Sequence, residues 1–177
     1  MNKRARQLIL GCLVPVLILL GMCFKPVYTL LTGEVIKLQT KPVDPTDLFR
    51  GDYVALRYEA EDVPIQFVEE AVVSKLGNSW GEIEVYVLFE EKNGVHIPLK
   101  VTLRKPAKGI FLKGTLILYD KTNSGKEFVL IKYGLEKYYV KDNTGTEWEK
   151  ASEKGKIVAK IKVNNGYGII TGIEREK

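Results

Sequence analysis

Ile83-Glu84-Val85-Tyr86-Val87-Leu88-Phe89-Glu90-Glu91-Lys92-Asn93-Gly94-Val95-His96-Ile97-Pro98-Leu99-Lys100-Val101-Thr102 reads as a β-hairpin. Ile83, Val85, Val87 and Phe89 recur every second residue, with Glu82, Glu84 and Glu90 in the opposite phase. That period of two puts the apolar side chains on one face of a strand and the acids on the other. Asn93-Gly94 is a favoured pair for a tight hairpin turn, because both residues tolerate positive φ. The returning strand is read with Ile97, Leu99, Val101 and Leu103 inward, and Pro98, Lys100, Thr102 and Arg104 outward. Pro98 lacks a ladder donor, which predicts a sheet edge or a bulge there. His96, the lone histidine, is read as an exposed residue following the turn.

The same alternation extends both ways along the chain. Upstream, Ile36, Leu38 and Thr40 alternate with Val35, Lys37 and Gln39; Val54, Leu56 and Tyr58 alternate with Tyr53, Ala55, Arg57 and Glu59. Downstream, strands are predicted over residues 110–119 and 127–133, joined at Asn123-Ser124-Gly125. A last pair, 156–163 and 167–173, is joined by Asn164-Asn165-Gly166. Two short helices are expected. One is capped by Asp62, has Pro64 in its first turn, and aligns Ile65, Val68, Val72 and Leu76. The other covers Thr146 to Lys154, with acids early and lysines late. Many short strands with few helices predict a mainly β domain, an antiparallel sandwich or a partly closed barrel.

The N-terminus follows another rule. Leu8 to Phe24 is a run of 17 residues without a charge. As a helix it is about 26 Å long, close to the bilayer core. It is apolar on every face, unlike a half-buried soluble helix. No small-x-small cleavage site follows, so an uncleaved transmembrane anchor is expected. Four of the 27 basic residues and none of the 22 acidic ones precede Gly33. The positive charge therefore flanks the membrane segment, which argues against nucleic-acid binding. Lys3, Arg4 and Arg6 lie before the span, which predicts a cytoplasmic N-terminus. The organisation read from the chain is a basic N-terminus over 1–7, an anchor over 8–24, a juxtamembrane connector over 25–32 and an extracytoplasmic β domain over 33–177.

Both cysteines, Cys12 and Cys23, fall in or at the end of the apolar run, so the β domain holds no thiol nucleophile and no disulfide. One histidine leaves little material for a zinc site or a serine–histidine pair. No catalytic residue, metal ligand or cofactor is assigned. Asp44, Asp47 and Asp52, with Glu59, Glu61 and Asp62, supply oxygens of the type calcium takes, but without the EF-hand spacing.

The segment Asp44-Pro45-Thr46-Asp47-Leu48-Phe49-Arg50-Gly51-Asp52-Tyr53-Val54-Ala55-Leu56-Arg57-Tyr58 reads as a turn entering a strand. Asp44, Pro45 and Asp47 suit the turn, Gly51 permits positive φ, and Asp52 can accept backbone N–H bonds across the corner. Leu56 and Tyr58 then enter the core. With Tyr133-Gly134-Leu135-Glu136-Lys137-Tyr138-Tyr139-Val140, this segment resembles the bacterial GDYXXLXY proteins, over most of residues 33–173. The candidate site residues are Asp44, Pro45, Asp47, Arg50, Gly51, Asp52, Tyr53, Leu56 and Tyr58 of the first motif, and Tyr133, Gly134, Glu136 and Tyr139 of the second. The resemblance implies a membrane-anchored protein of unassigned biochemistry, with a multi-pass membrane protein as companion.

Pro45-Thr46 and Gly51-Asp52 also echo type I signal peptidases. The chain, however, has no serine before Ser74, and Lys41 is not placed as a lysine base. The function expected is a non-enzymatic envelope module that binds or assists another membrane or envelope protein. The alternatives are an envelope hydrolase using carboxylates such as Asp52 and Glu136, and a ligand- or ion-sensing domain.

Overall fold

The structure, a computed structural model, describes residues 3–42, 53–78, 81–121, 127–139 and 157–175. Helix α1 (Lys3–Thr32) opens the chain and carries the apolar run. Its segment Gly11–Thr32 is long and apolar enough to cross a membrane, and almost none of it is buried against the rest of the chain. Residues 25–32 continue the same helix, which ends one residue before β1 (Glu34–Gln39).

The remaining elements are β2 (Tyr53–Ala55), β3 (Asp62–Pro64), α2 (Glu70–Asn78), β4 (Ile83–Lys92), β5 (Val95–Thr102), β6 (Phe111–Lys121), β7 (Glu127–Lys132), β8 (Lys137–Tyr139), β9 (Ile157–Asn164) and β10 (Tyr167–Arg175). They form a five-stranded sheet ordered β3-β7-β6-β4-β5, a three-stranded sheet ordered β1-β9-β10 and a two-stranded ribbon of β2 with β8, all antiparallel within themselves. Isolated bridges stitch the sheets together. Leu112 meets Gly166 between β6 and the β9–β10 turn, and Thr40 meets Tyr58. The result is a nearly closed antiparallel barrel, the second of the two architectures expected.

The alternating rows fill its interior. Ile36, Leu38, Val54, Leu56, Tyr58, Ile83, Val85, Val87 and Phe89 are all buried, as are Ile157, Ala159 and Ile161 of β9. The two tight turns have the expected backbone: Asn93 and Gly94 have φ of 53° and 81°, Asn165 and Gly166 of 54° and 84°.

Three expectations are corrected. Strand β5 is an edge strand of its sheet, and a bulge opposite Leu88/Phe89 interrupts its register, so the Pro98 signal holds for both reasons. The extra residue, however, shifts the phase of the strand. Leu99 faces solvent, and His96 is buried in place of an apolar neighbour. The helix expected from Asp62 starts only at Glu70. Asp62–Pro64 instead pairs with Leu130, Val129 and Phe128, a short 3-10 turn spans Ile65–Phe67, and Val68 bridges Val101. Valines 63 and 68 serve a strand as well as a helix, and ladder partners on β7 and β5 decided between them. The expected helix over Thr146 to Lys154 lies outside the described residues.

Candidate functional site

Strands β2 and β8 bring the two motifs together. Tyr53 pairs with Tyr139, Val54 with Tyr138 and Ala55 with Lys137. The Leu56 N–H donates to the Glu136 carbonyl at 2.8 Å, extending the ribbon by one step. The Tyr58 ring is fully buried, and its hydroxyl donates to the Leu135 carbonyl at 2.7 Å. Burial, with the nearby Glu136 and Glu61 carboxylates, pushes the Tyr58 phenol far above its ordinary range, so it stays a donor. Gly134 has φ of 74°, a left-handed turn that suits glycine, and its N–H donates to Glu136 Oε1 at 3.1 Å. Tyr133, behind it, packs against Phe89 and donates its hydroxyl to the Ala60 carbonyl at 2.7 Å. Two motifs separated by some 75 residues of chain are thus one hydrogen-bonded unit.

Beneath this unit lies a buried charge. Glu61 is inaccessible to solvent, and its Oε2 accepts from Lys132 Nζ at 2.9 Å. Its Oε1 takes the Tyr58 N–H at 3.3 Å, and Arg57 Nε stands 4.0 Å from Oε2. Burial raises the Glu61 pKa above its ordinary value; Lys132 pulls against that rise. Asp62 is bridged by Lys41, with Arg57 Nη2 at 3.9 Å from it. Two of the oxygens considered for calcium are therefore occupied by cationic side chains, and the described residues hold no group of three or more metal-ligating side chains.

Tyr53, Leu56, Tyr58, Tyr133, Gly134, Glu136 and Tyr139 are placed together, with Tyr139 largely exposed at the ribbon's end. Asp44, Pro45, Asp47, Arg50, Gly51 and Asp52 lie outside the described residues, and so does any pairing of Asp52 with Glu136. Sequence reasoning missed Lys132 as the partner of Glu61. The two are 71 residues apart, and only the β3–β7 ladder brings them within reach.

It also missed a cleft of about 850 Å³ beside the second motif. Lys132, Tyr133, Gly134 and Glu136 form one wall, and Lys113, Thr115 and Ile117 of β6 line another. Tyr167 and Lys25 of α1 close one end, and Glu82 also borders the space. Lys25 is the only charged residue in Gly11–Thr32, and its Nζ stands 4.4 Å from the centre of the Tyr167 ring, a cation–π contact. The apolar N-terminal helix therefore contributes Lys25 to the lining of this recess of the domain.

No curated protein and no solved structure matches this chain. The profile of the GDYXXLXY protein, in contrast, matches residues 15–173, from the middle of α1 into β10 and through both halves of the ribbon. With the two motifs joined in one structure and matched over nearly all of its length, this chain belongs to the GDYXXLXY family.

Proposed function

We propose that this chain is a non-enzymatic, single-pass module whose N-terminus is cytoplasmic and whose barrel is extracytoplasmic, and that it binds or assists another membrane or envelope protein. The observation that carries the reading is the joint between helix and barrel. Thr29 is buried against the domain, Lys162 donates to the Leu30 carbonyl, and Asn164 Nδ2 donates to Thr32 Oγ1 at 2.9 Å. Gly33 N–H closes the last helical turn on the Thr29 carbonyl at 2.9 Å. An anchor whose only task is tethering needs no such docking; a loose linker serves it equally well. A fixed joint favours a partner that touches helix and barrel together. The basic residues ahead of the span support the orientation. The exposed apolar side chains of α1, among them Leu17, Leu20 and Phe24, offer the membrane part of the contact.

A photocrosslinking residue at Leu17 or Leu20, and another at the Asn93 turn, tests both parts in living cells. Both positions are expected to trap the same membrane protein. Failure of either position to yield a reproducible adduct counts against the assignment. A lone cysteine at Asn93, with Cys12 and Cys23 replaced by serine, tests orientation: it should react in intact cells with a membrane-impermeant maleimide.

A further inference from the structure

The loop between β5 and β6 carries charge that the fold leaves unanswered. It reads Leu103-Arg104-Lys105-Pro106-Ala107-Lys108-Gly109-Ile110, three bases and no acid. Arg104, Lys105 and Lys108 are all exposed, and no carboxylate among the described residues pairs with them. A solvated loop can carry such charges without using them. The rigidity and the place of this one set it apart.

The loop is pinned at both ends. The Thr102 hydroxyl donates to the Arg104 carbonyl at 2.6 Å, and the Ile110 carbonyl takes the Phe89 N–H at 2.9 Å. Gly109 has φ of 90°, and a Cβ there would stand 2.8 Å from Leu88 Cδ1, so the backbone lies directly on β4. Pro106 fixes one further φ between the two lysines. The bases are therefore held near the barrel wall and not on a free tether.

The place is where α1 meets the barrel. Gly109, Ile110 and Phe111 share a recess of about 120 Å³ with Thr32 and Glu34. Lys108 directly precedes Gly109, and Arg104 lies five residues before it, at most about 17 Å of chain away. On the helix side stand Lys25 and Lys162, the latter donating to the Leu30 carbonyl. Glu34 opposes this charge, as does Glu91 farther round the barrel; Glu90 is already taken by Lys92 at 3.0 Å. The bases outnumber the free acids, so this end of the barrel is positive.

Resting on the transmembrane reading above, we propose that this loop is a second membrane contact, in which Arg104, Lys105 and Lys108 meet the phosphates of anionic phospholipids around the helix. Lys25 is the first charge after the apolar run and marks the edge of the hydrocarbon. Thr32 is seven residues further, about 10 Å along the helix axis. A headgroup layer is roughly 5–8 Å deep, so the recess beside Thr32 stands at its outer rim. Long basic side chains extend from there to the phosphates, and a guanidinium can grip one with two parallel hydrogen bonds. The span holds the loop at the surface, so each contact forms as an intramolecular event and weak attraction suffices. A soluble polyanion has no comparable reason to meet charges gathered at the foot of an apolar helix.

The test uses the full chain in nanodiscs, with Cys12→Ser and Cys23→Ser and a nitroxide label on Ala107→Cys. In phosphatidylcholine discs the label should be mobile and open to a water-soluble relaxing agent. In phosphatidylglycerol discs the ratio of lipid-held to mobile label should rise at least about tenfold, since each base near an anionic surface contributes roughly fivefold. Salt at about 1 M should erase the rise. Arg104→Gln/Lys105→Gln/Lys108→Gln should erase it too, with circular dichroism melting confirming that the variant is folded. The same label on Val14→Cys, in a separate chain, reports the span. If that label lies in lipid while the loop label ignores phosphatidylglycerol, the loop proposal fails and the span stands. If it lies in water, both fail. A rise that persists in the folded triple variant overturns the proposal, and so does capture of the loop by polyphosphate with no response to phosphatidylglycerol.

Discussion

Tyr58 links the two motifs through one buried hydrogen bond, which makes it the sharpest single-atom test of the ribbon. Tyr58→Phe keeps the ring and leaves the Leu135 carbonyl without its donor. A loss of about 1–3 kcal/mol is expected in urea denaturation of the full chain in detergent. Lys132→Met has a different signature. It leaves the Glu61 carboxylate buried beside a distant Arg57, at a cost of about 3 kcal/mol near neutral pH. Burial already raises the folded-state pKa of Glu61 above the unfolded value. Stability from such a group is fullest below the unfolded pKa and is lost as pH rises through the folded one. The Lys132→Met deficit should therefore shrink as the pH is lowered toward the carboxylate range. Glu61→Gln/Lys132→Met should recover most of it at neutral pH, which would identify the orphaned charge rather than lost packing as the cause. The sequence showed Tyr58 as an inward residue, because alternation reports side-chain direction. It held no sign of the Glu61–Lys132 pair, because charge complementarity across 71 residues leaves no periodic trace.

Between elements, the seam joining β1 to β5 is closed by a side chain. His96 Nδ1 accepts the Lys37 backbone N–H at 3.3 Å, where a continuous ladder would supply a carbonyl. Burial lowers the His96 pKa; Glu91, paired with it on β4, acts against that, and Lys37 reinforces it. The contribution is whole above the unfolded histidine value and is lost as pH falls through the folded one, when a proton on Nδ1 removes the acceptor. Denaturation midpoints should fall from about pH 7.5 to about pH 5, and His96→Asn, which keeps an acceptor near the Nδ1 position, should flatten that part of the decline. The hairpin of β4 and β5 was legible from alternation and an Asn-Gly pair, and even the irregularity was flagged by Pro98. The side to which His96 turned was not. A single inserted residue inverts every later assignment on a strand, and nothing local says on which side of Pro98 the insertion falls.

At the scale of the molecule, the barrel and the apolar helix α1 meet at Gly33. A Cβ on that residue would stand 2.5 Å from the Thr29 carbonyl oxygen and 3.1 Å from that of Val163, both backbone atoms with little freedom to retreat. Gly33→Ala is expected to cost about 1–3 kcal/mol and to open the joint to proteolysis in nanodiscs, with the barrel's own melting little changed. Composition located the apolar helix, since a long uncharged run is a one-dimensional signal. The docking of its last turn and the cleft beneath it depend on which strands fall next to α1, and that is decided by sheet order.

The continuity of α1 with β1 also has a mechanical meaning. Thirty helical residues make a shaft of about 45 Å fixed at one end to the barrel wall. When a bilayer thins, a helix of given apolar length tilts further, and when it thickens the helix stands up. With a hinge at the joint, the barrel would ignore that tilt. On the membrane span proposed above, the stiff joint would hand the inclination of the helix's last turns, beyond Pro26, to the barrel, and bilayer thickness would then set how closely one flank of the barrel leans over the lipid surface.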